Sequence, residues 1–123
     1  MKINKVYKWE MHYSNWNSDY MEASEISTLV MEECSEKILT GAYNLAKSAA
    51  QLSIECGIPM SLCCEKIELL EKLGLIRRID TRLTTEGEEI GLFRSEMRKA
   101  TIFHDDGSIK VKFEFKSGMT KEY

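Results

Sequence analysis

The chain has little of what most enzyme and membrane classes require. Its 123 residues include one proline and two histidines, and no apolar run is long enough to span a bilayer. It contains no glycine-rich phosphate loop and no nucleophile elbow. The segment MKINKVYKWEMHY is too polar and aromatic for a secretory signal. These absences predict a cytoplasmic protein without membrane association, enzymatic activity, catalytic residues or cofactors.

Metal-ligand spacing is also missing. The histidines, His12 and His104, are isolated in segments that resemble strands, where a structural role is the simpler interpretation. The cysteines form no Cys-x-x-Cys pair, which argues against a zinc site. We expect reduced thiols that act as small apolar residues. The alternative is redox or effector sensing by three cysteines in or beside the two central helices: Cys56, Cys63 and Cys64. This alternative requires that alkylation of the thiols alter binding.

Positive charge is scarce overall. The formal net charge of −3 does not by itself indicate a nucleic-acid partner. A local basic surface can still attract a polyanion, because the field near a protein depends on where its charges lie.

Periodicity predicts the order of elements. Residues 2–13 alternate as a half-buried strand, and helices follow over about residues 20–33 and 35–46. Ser48 and Gln51 match a capping box for a helix that stops at Gly57. Pro59 then opens a helix that runs through Leu73 and ends before Gly74. Two helices joined by a tight turn are therefore expected in the middle of the chain.

The second half predicts a short hairpin, a helix and a longer hairpin. Residues 75–79 read as a strand, with a two-residue reversal at Asp80-Thr81 and a return strand at residues 82–83. Thr84 is expected to cap a helix over residues 85–99. Residues 109–115 alternate as a strand after the turn-forming pair Asp106-Gly107. The N-terminal strand is a candidate third member of that sheet, because an isolated hairpin is marginally stable.

The helix after Pro59 has two distinct faces at 100° per residue. The face expected in the core carries Cys63, Ile67, Leu70 and Leu73. The opposite face carries three acids, one lysine and one thiol: Glu65, Glu68, Glu71, Lys72 and Cys64. Acids facing a duplex are costly, because phosphate contacts supply most nonspecific affinity for DNA.

About half of the chain, from Ile38 to Met97, resembles the winged helix-turn-helix regulators of archaea and bacteria. The resemblance rests on the LSIECGIP turn, the EKIELLEKLGLI helix end and the LTTEG segment. It implies an α+β, mainly α fold: a winged helix-turn-helix with a small antiparallel sheet from the N-terminal strand and the C-terminal hairpin. We expect one domain over residues 1–123, with its core at about residues 36–99 and an extension at each end.

The same resemblance implies a DNA-binding transcriptional regulator that acts as a homodimer on double-stranded DNA. In a helix-turn-helix, the start of the second helix approaches the bases. The expected base contacts are Ser61, Leu62, Glu65 and Lys66, and the expected phosphate contacts are Arg77, Arg78 and Arg82. The alternative is a winged-helix module that binds a protein partner and no DNA. The acidic second helix and the short predicted wing favour that alternative.

Overall fold

The computed structural model describes residues 21–123. The predicted N-terminal strand and His12 lie outside these residues. The described part begins with four helices, α1 (Ala23–Met31), α2 (Glu33–Gly41), α3 (Ala49–Cys56) and α4 (Met60–Lys72). Five strands follow, β1 (Ile76–Leu83), β2 (Glu89–Ser95), β3 (Met97–Asp105), β4 (Ser108–Phe115) and β5 (Thr120–Glu122). None of these helices is long and apolar enough to cross a membrane.

The strands form two antiparallel sheets. One is the β1–β2 hairpin, and the other has the order β3–β4–β5. A single bridge between Lys47 and Phe93 adds the segment before α3 to the outer edge of β2. The predicted C-terminal hairpin is confirmed: β3 and β4 are joined at Asp106-Gly107, where both residues have positive φ. Its third described strand is β5.

The α+β class is confirmed, but the expectation of a mainly α fold is wrong. Helix and strand contribute about equally to the described residues. The difference arises at residues 85–99, where the predicted helix is absent and β2 and the start of β3 are present. Gly87 has a φ of +86° and forms a turn, and Gly91 adds a second residue with low helix propensity. Pairing with β1 satisfies the backbone instead.

The predicted two-residue wing tip is wrong for the same reason. Strand β1 continues through Asp80-Thr81 to Leu83, with an irregularity in the register between Arg78 and Asp80. The chain reverses later, at residues 84–88, where Thr84 and Glu88 are bonded through their backbones. Thr84 Oγ1 also accepts a hydrogen bond from the Glu88 amide at 3.1 Å. The LTTEG segment therefore forms the turn of a long hairpin.

The two central helices begin and end where the sequence predicts. The Ser48 hydroxyl accepts from the Gln51 amide at 3.1 Å, and the Gln51 side chain accepts from the Ser48 amide at 2.9 Å. Gly57 closes α3 with a φ of +70°, and Gly74 follows α4 with a φ of +76°. Both positions favour glycine, since a Cβ is strained in this conformation.

One hydrophobic core joins the helices to the three-stranded sheet. The predicted inner face of α4 is confirmed, since Cys63, Ile67, Leu70 and Leu73 are all buried. Phe113 and Val111 on β4 are fully buried and belong to the same cluster as Ile26 of α1. Burial of these apolar side chains is the main stabilising contribution to the fold.

The end of β2 is bonded to the end of α2. The Ser95 hydroxyl donates to the Leu39 carbonyl at 2.5 Å, and the Ser95 amide donates to the Ala42 carbonyl at 2.9 Å. The last carbonyls of a helix have no partner inside the helix. Ser95 is buried, so no solvent replaces these bonds. This residue therefore caps α2 from the neighbouring hairpin.

We expect Ser95→Ala to lower the free energy of unfolding by about 1–3 kcal/mol, because it leaves the buried Leu39 carbonyl without its donor. Chemical denaturation followed by circular dichroism measures the change. Ser108→Ala is the matched control, since the Ser108 hydroxyl bonds to Asp105 at the exposed turn. Equal effects of the two substitutions would contradict the capping role of Ser95.

Candidate functional site

The outer face of α4 is exposed as the sequence predicts. Its solvent-facing residues are Ser61, Cys64, Glu65, Glu68, Glu71 and Lys72. Of the expected base contacts, Ser61 and Glu65 are exposed and Leu62 is half-buried. The structure thus places Ser61 and Glu65 one turn apart on an accessible surface, with more carboxylates than cations beside them.

Lys66 is held by an acidic partner. Its Nζ lies 2.6 Å from Glu32 Oε1, and only 14% of the Lys66 side chain is exposed. Glu32 is the residue between α1 and α2. The ion pair therefore ties α4 to the first helices and directs the lysine charge toward the protein. The exposed carboxylates of α4 are left without this cation.

The β1–β2 hairpin presents its arginines to solvent. After Ile76, every residue of β1 is exposed. Arg77 pairs across the hairpin with Arg94, and the Glu96 carboxylate lies 3.9 Å and 3.8 Å from their guanidinium nitrogens. These separations allow charge attraction, although they exceed hydrogen-bond length. One carboxylate therefore offsets part of the charge of two guanidiniums at the base of the hairpin.

Arg78 is positioned by packing. Its guanidinium carbon lies 5.5 Å from the centroid of the Phe93 ring, directly across the hairpin. A Cβ built on Gly91 would lie 2.6 Å from Arg78 Nε, so the side chain runs over the glycine. No acidic group of the described residues lies within ion-pair distance of Arg78. The arginine is therefore exposed, oriented and available to an anion.

The arginines of the hairpin lie at its base and middle, where Asp80 is the one exposed acid of β1, and the other acids lie at its turn. Arg82 pairs with Ile90 of β2 and is exposed, without an acidic partner within 4 Å among the described residues. The turn beyond it is acidic and follows Leu83, the last residue of β1, which is 66% exposed. The acids at the turn are Glu86, Glu88 and Glu89. An anion would therefore be attracted to the middle and the base of the hairpin and repelled from its tip.

The lysines of β4 and the following turn differ in what lies beside them. Lys110 is ion-paired with Asp105 at 3.2 Å, and Lys112 lies opposite Glu122. Lys116 donates to the Tyr43 carbonyl at 2.5 Å and lies over the Tyr43 ring. Burial there lowers the pKa of the Lys116 ammonium, even though the neighbouring Glu96 carboxylate raises it.

The thiols differ in accessibility. Cys56 and Cys63 are buried, Cys34 is half-buried, and Cys64 is exposed on α4. Burial raises the pKa of the Cys63 thiol to about 11, with neighbouring thiols adding to the shift, and burial also raises the pKa of Cys56. Cys63 and Cys56 are therefore weak nucleophiles at neutral pH. Across residues 21–123 the structure shows no cluster of potential metal ligands.

Sequence reasoning missed Arg94. The expected helix over residues 85–99 hid it, and GLFRS gives no strand signal because its apolar residues Leu92 and Phe93 are adjacent. In the structure Arg94 lies on β2 beside Arg77. It therefore belongs to the hairpin surface that the sequence assigned to β1 alone.

No protein-family model matches this chain, and no curated protein matches it in sequence.

We expect Glu32→Gln to lower the free energy of unfolding by about 1 kcal/mol, because the half-buried Lys66 ammonium loses its charged partner. Thermal unfolding measures the change. Glu33→Gln is the matched control, since the Glu33–Lys37 pair is exposed and contributes at most about 0.5 kcal/mol. A glutamine variant at position 32 as stable as the control would show that Lys66 is free to turn toward solvent.

Proposed function

We propose that this protein is a winged helix-turn-helix DNA-binding regulator of transcription. The order of its elements supports the proposal: helix α2, the bridge at Lys47, helices α3 and α4, and the β1–β2 hairpin. In this arrangement α4 is the recognition helix and the hairpin is the wing. The short wing predicted from the sequence favoured a protein-binding module. The observed hairpin is long, so it no longer favours that alternative.

The observation that carries the proposal is the placement of Arg78. A guanidinium fixed by an aromatic ring and a glycine loses less side-chain entropy on binding than a free one. Its planar donor set suits phosphate oxygens. Arg78 is such a group. Arg77 and Arg82 lie on the other face of the hairpin, because they pair with Arg94 and Ile90 of β2 whereas Arg78 pairs with Phe93, and Arg77 first shares Glu96. In this proposal the three arginines contact phosphates from both faces of the wing.

The start of α4 supplies the base contacts in this proposal. Ser61, Leu62 and Glu65 lie on its first two turns, where a recognition helix meets base edges. A glutamate can accept a hydrogen bond from the cytosine amino group. Lys66 joins them only if its ion pair with Glu32 opens. Recognition by this helix therefore depends on hydrogen bonds more than on charge.

The partners follow from the same proposal. The protein acts in the cytoplasm on double-stranded DNA as a homodimer, because two-fold protein symmetry matches palindromic sites. The wing arginines hold the backbone in place, and the α4 residues distinguish sequences.

The test is the salt dependence of binding to a random-sequence duplex. We expect Arg78→Ala/Arg82→Ala to weaken binding roughly tenfold at about 0.1 M salt. The slope of log affinity against log salt should fall in magnitude by about 1.8, since each lost phosphate contact contributes about 0.9. Fluorescence anisotropy over a series of salt concentrations measures both quantities.

The matched control is Lys112→Ala/Lys121→Ala, which removes two positive charges from β4 and β5. It alters net charge equally and should leave the slope unchanged. Equal loss in both double variants would show that binding reflects overall charge and would contradict the wing contacts.

A second candidate function is a winged-helix module that binds a protein partner and no DNA. The acidic face of α4, the acidic turn of the hairpin and the exposed Leu83 favour it. It requires that the wild-type protein show no salt-dependent retention of duplex DNA. The same anisotropy series therefore separates the two functions.

A further inference from the structure

We propose that two copies of this chain pair along β3, antiparallel, with Ile102 of each copy on the two-fold axis. Within residues 21–123, β3 is hydrogen-bonded to β4 on one side and has no strand on the other. Nine residues of edge strand present unpaired backbone groups, which readily accept another strand. The inference names the dimer interface and does not depend on DNA binding.

The hydrogen bonds of β4 show which groups face this edge. Val111 exchanges two backbone bonds with Tyr123, at 3.1 Å and 2.8 Å. In an antiparallel sheet a residue directs both its N–H and its C=O to the same neighbour. Ile102, which lies opposite Val111, is therefore in a non-hydrogen-bonded pair, and its backbone groups point away from β4. By alternation the groups of Ala100 and His104 also point outward.

These outward groups restrict the register of a β3–β3 pair. Residues 100, 102 and 104 must bond with one another across the interface. Centring the pair on Ile102 places Ile102 opposite its copy and Ala100 opposite His104. On the outer face of the sheet, which points away from the hydrophobic core, Lys99 then lies opposite Asp105.

Charge selects this register. Its two Lys99–Asp105 pairs join opposite charges, because β3 is basic near its start and acidic at its end. If the pair is centred on Thr101, Lys99 lies opposite Phe103. If it is centred on Phe103, Asp105 lies opposite Thr101. Asp105 already binds Lys110 through Oδ2, which leaves Oδ1 for the second copy.

The side chains of β3 also fit a partner. Phe103 is 38% exposed, and the centred register places it opposite Thr101 on the outer face. Ile102 is half-buried, whereas Val111 opposite it is fully buried. Self-pairing would cover this exposed apolar surface and extend the three-stranded sheet through both copies.

Two charge-reversing variants test the interface. Lys99→Asp places like charges at both pairs of its own dimer, and Asp105→Lys does the same. Each should weaken self-association by roughly thirtyfold. A mixture of the two variants should form a heterodimer, because every pair across the interface is then opposite in charge. Sedimentation equilibrium measures the mass, and the wild-type dimer is expected at twice 14.2 kDa.

Lys112→Asp is the control, since it reverses a charge on the central strand of the same sheet and should leave the dimer intact. Amide hydrogen exchange on the wild-type protein supplies a readout without substitution. The Ile102 amide should gain protection as concentration rises, whereas the Val111 amide is protected throughout. A wild-type monomer, single variants that remain dimeric, or an Ile102 amide insensitive to concentration would each overturn the interface.

Discussion

The segment Phe93–Glu96, which we call the junction segment, holds the separate parts of this fold together. Phe93 bonds to Lys47 before α3, and Ser95 bonds to the end of α2. The Glu96 amide donates to Leu75 after α4, and its carbonyl accepts from Lys116 after β4. Few residues can satisfy so many neighbours at once, so the strand geometry of this segment fixes the position of the hairpin against the helices.

The junction segment also determines the electrostatics of the candidate site. It places the Phe93 ring under Arg78 and the Glu96 carboxylate between Arg77 and Arg94. The Arg78 guanidinium is therefore held by an uncharged surface, whereas the guanidiniums of Arg77 and Arg94 share one carboxylate. Since the overall charge is −3, attraction of a polyanion depends on this local arrangement. The acidic α4 face and hairpin turn limit it to the base and middle of the wing.

The sequence predicted features whose signals are local. The predicted capping box at Ser48 and the predicted helix end at Gly74 are confirmed. Both were predictable because helix capping depends on residues a few places apart. The helix expected over residues 85–99 was wrong, since pairing with β1 is a long-range effect that no local pattern reports. The same limit hid the Lys66–Glu32 ion pair, which joins distant helices. The exposures of Ser61 and Glu65 were predictable from the wheel of α4, whereas the packing of Arg78 was not.

The most direct test of the account is a titration of a duplex into isotopically labelled protein, followed by amide chemical shifts. The account predicts salt-sensitive shifts at the start of α4 and along β1 and β2, centred on Arg78. Residues of α1 and of the hairpin turn should change little. Shifts confined to the helices α1 and α2, or no shifts at low salt, would contradict a DNA-binding surface built on this hairpin.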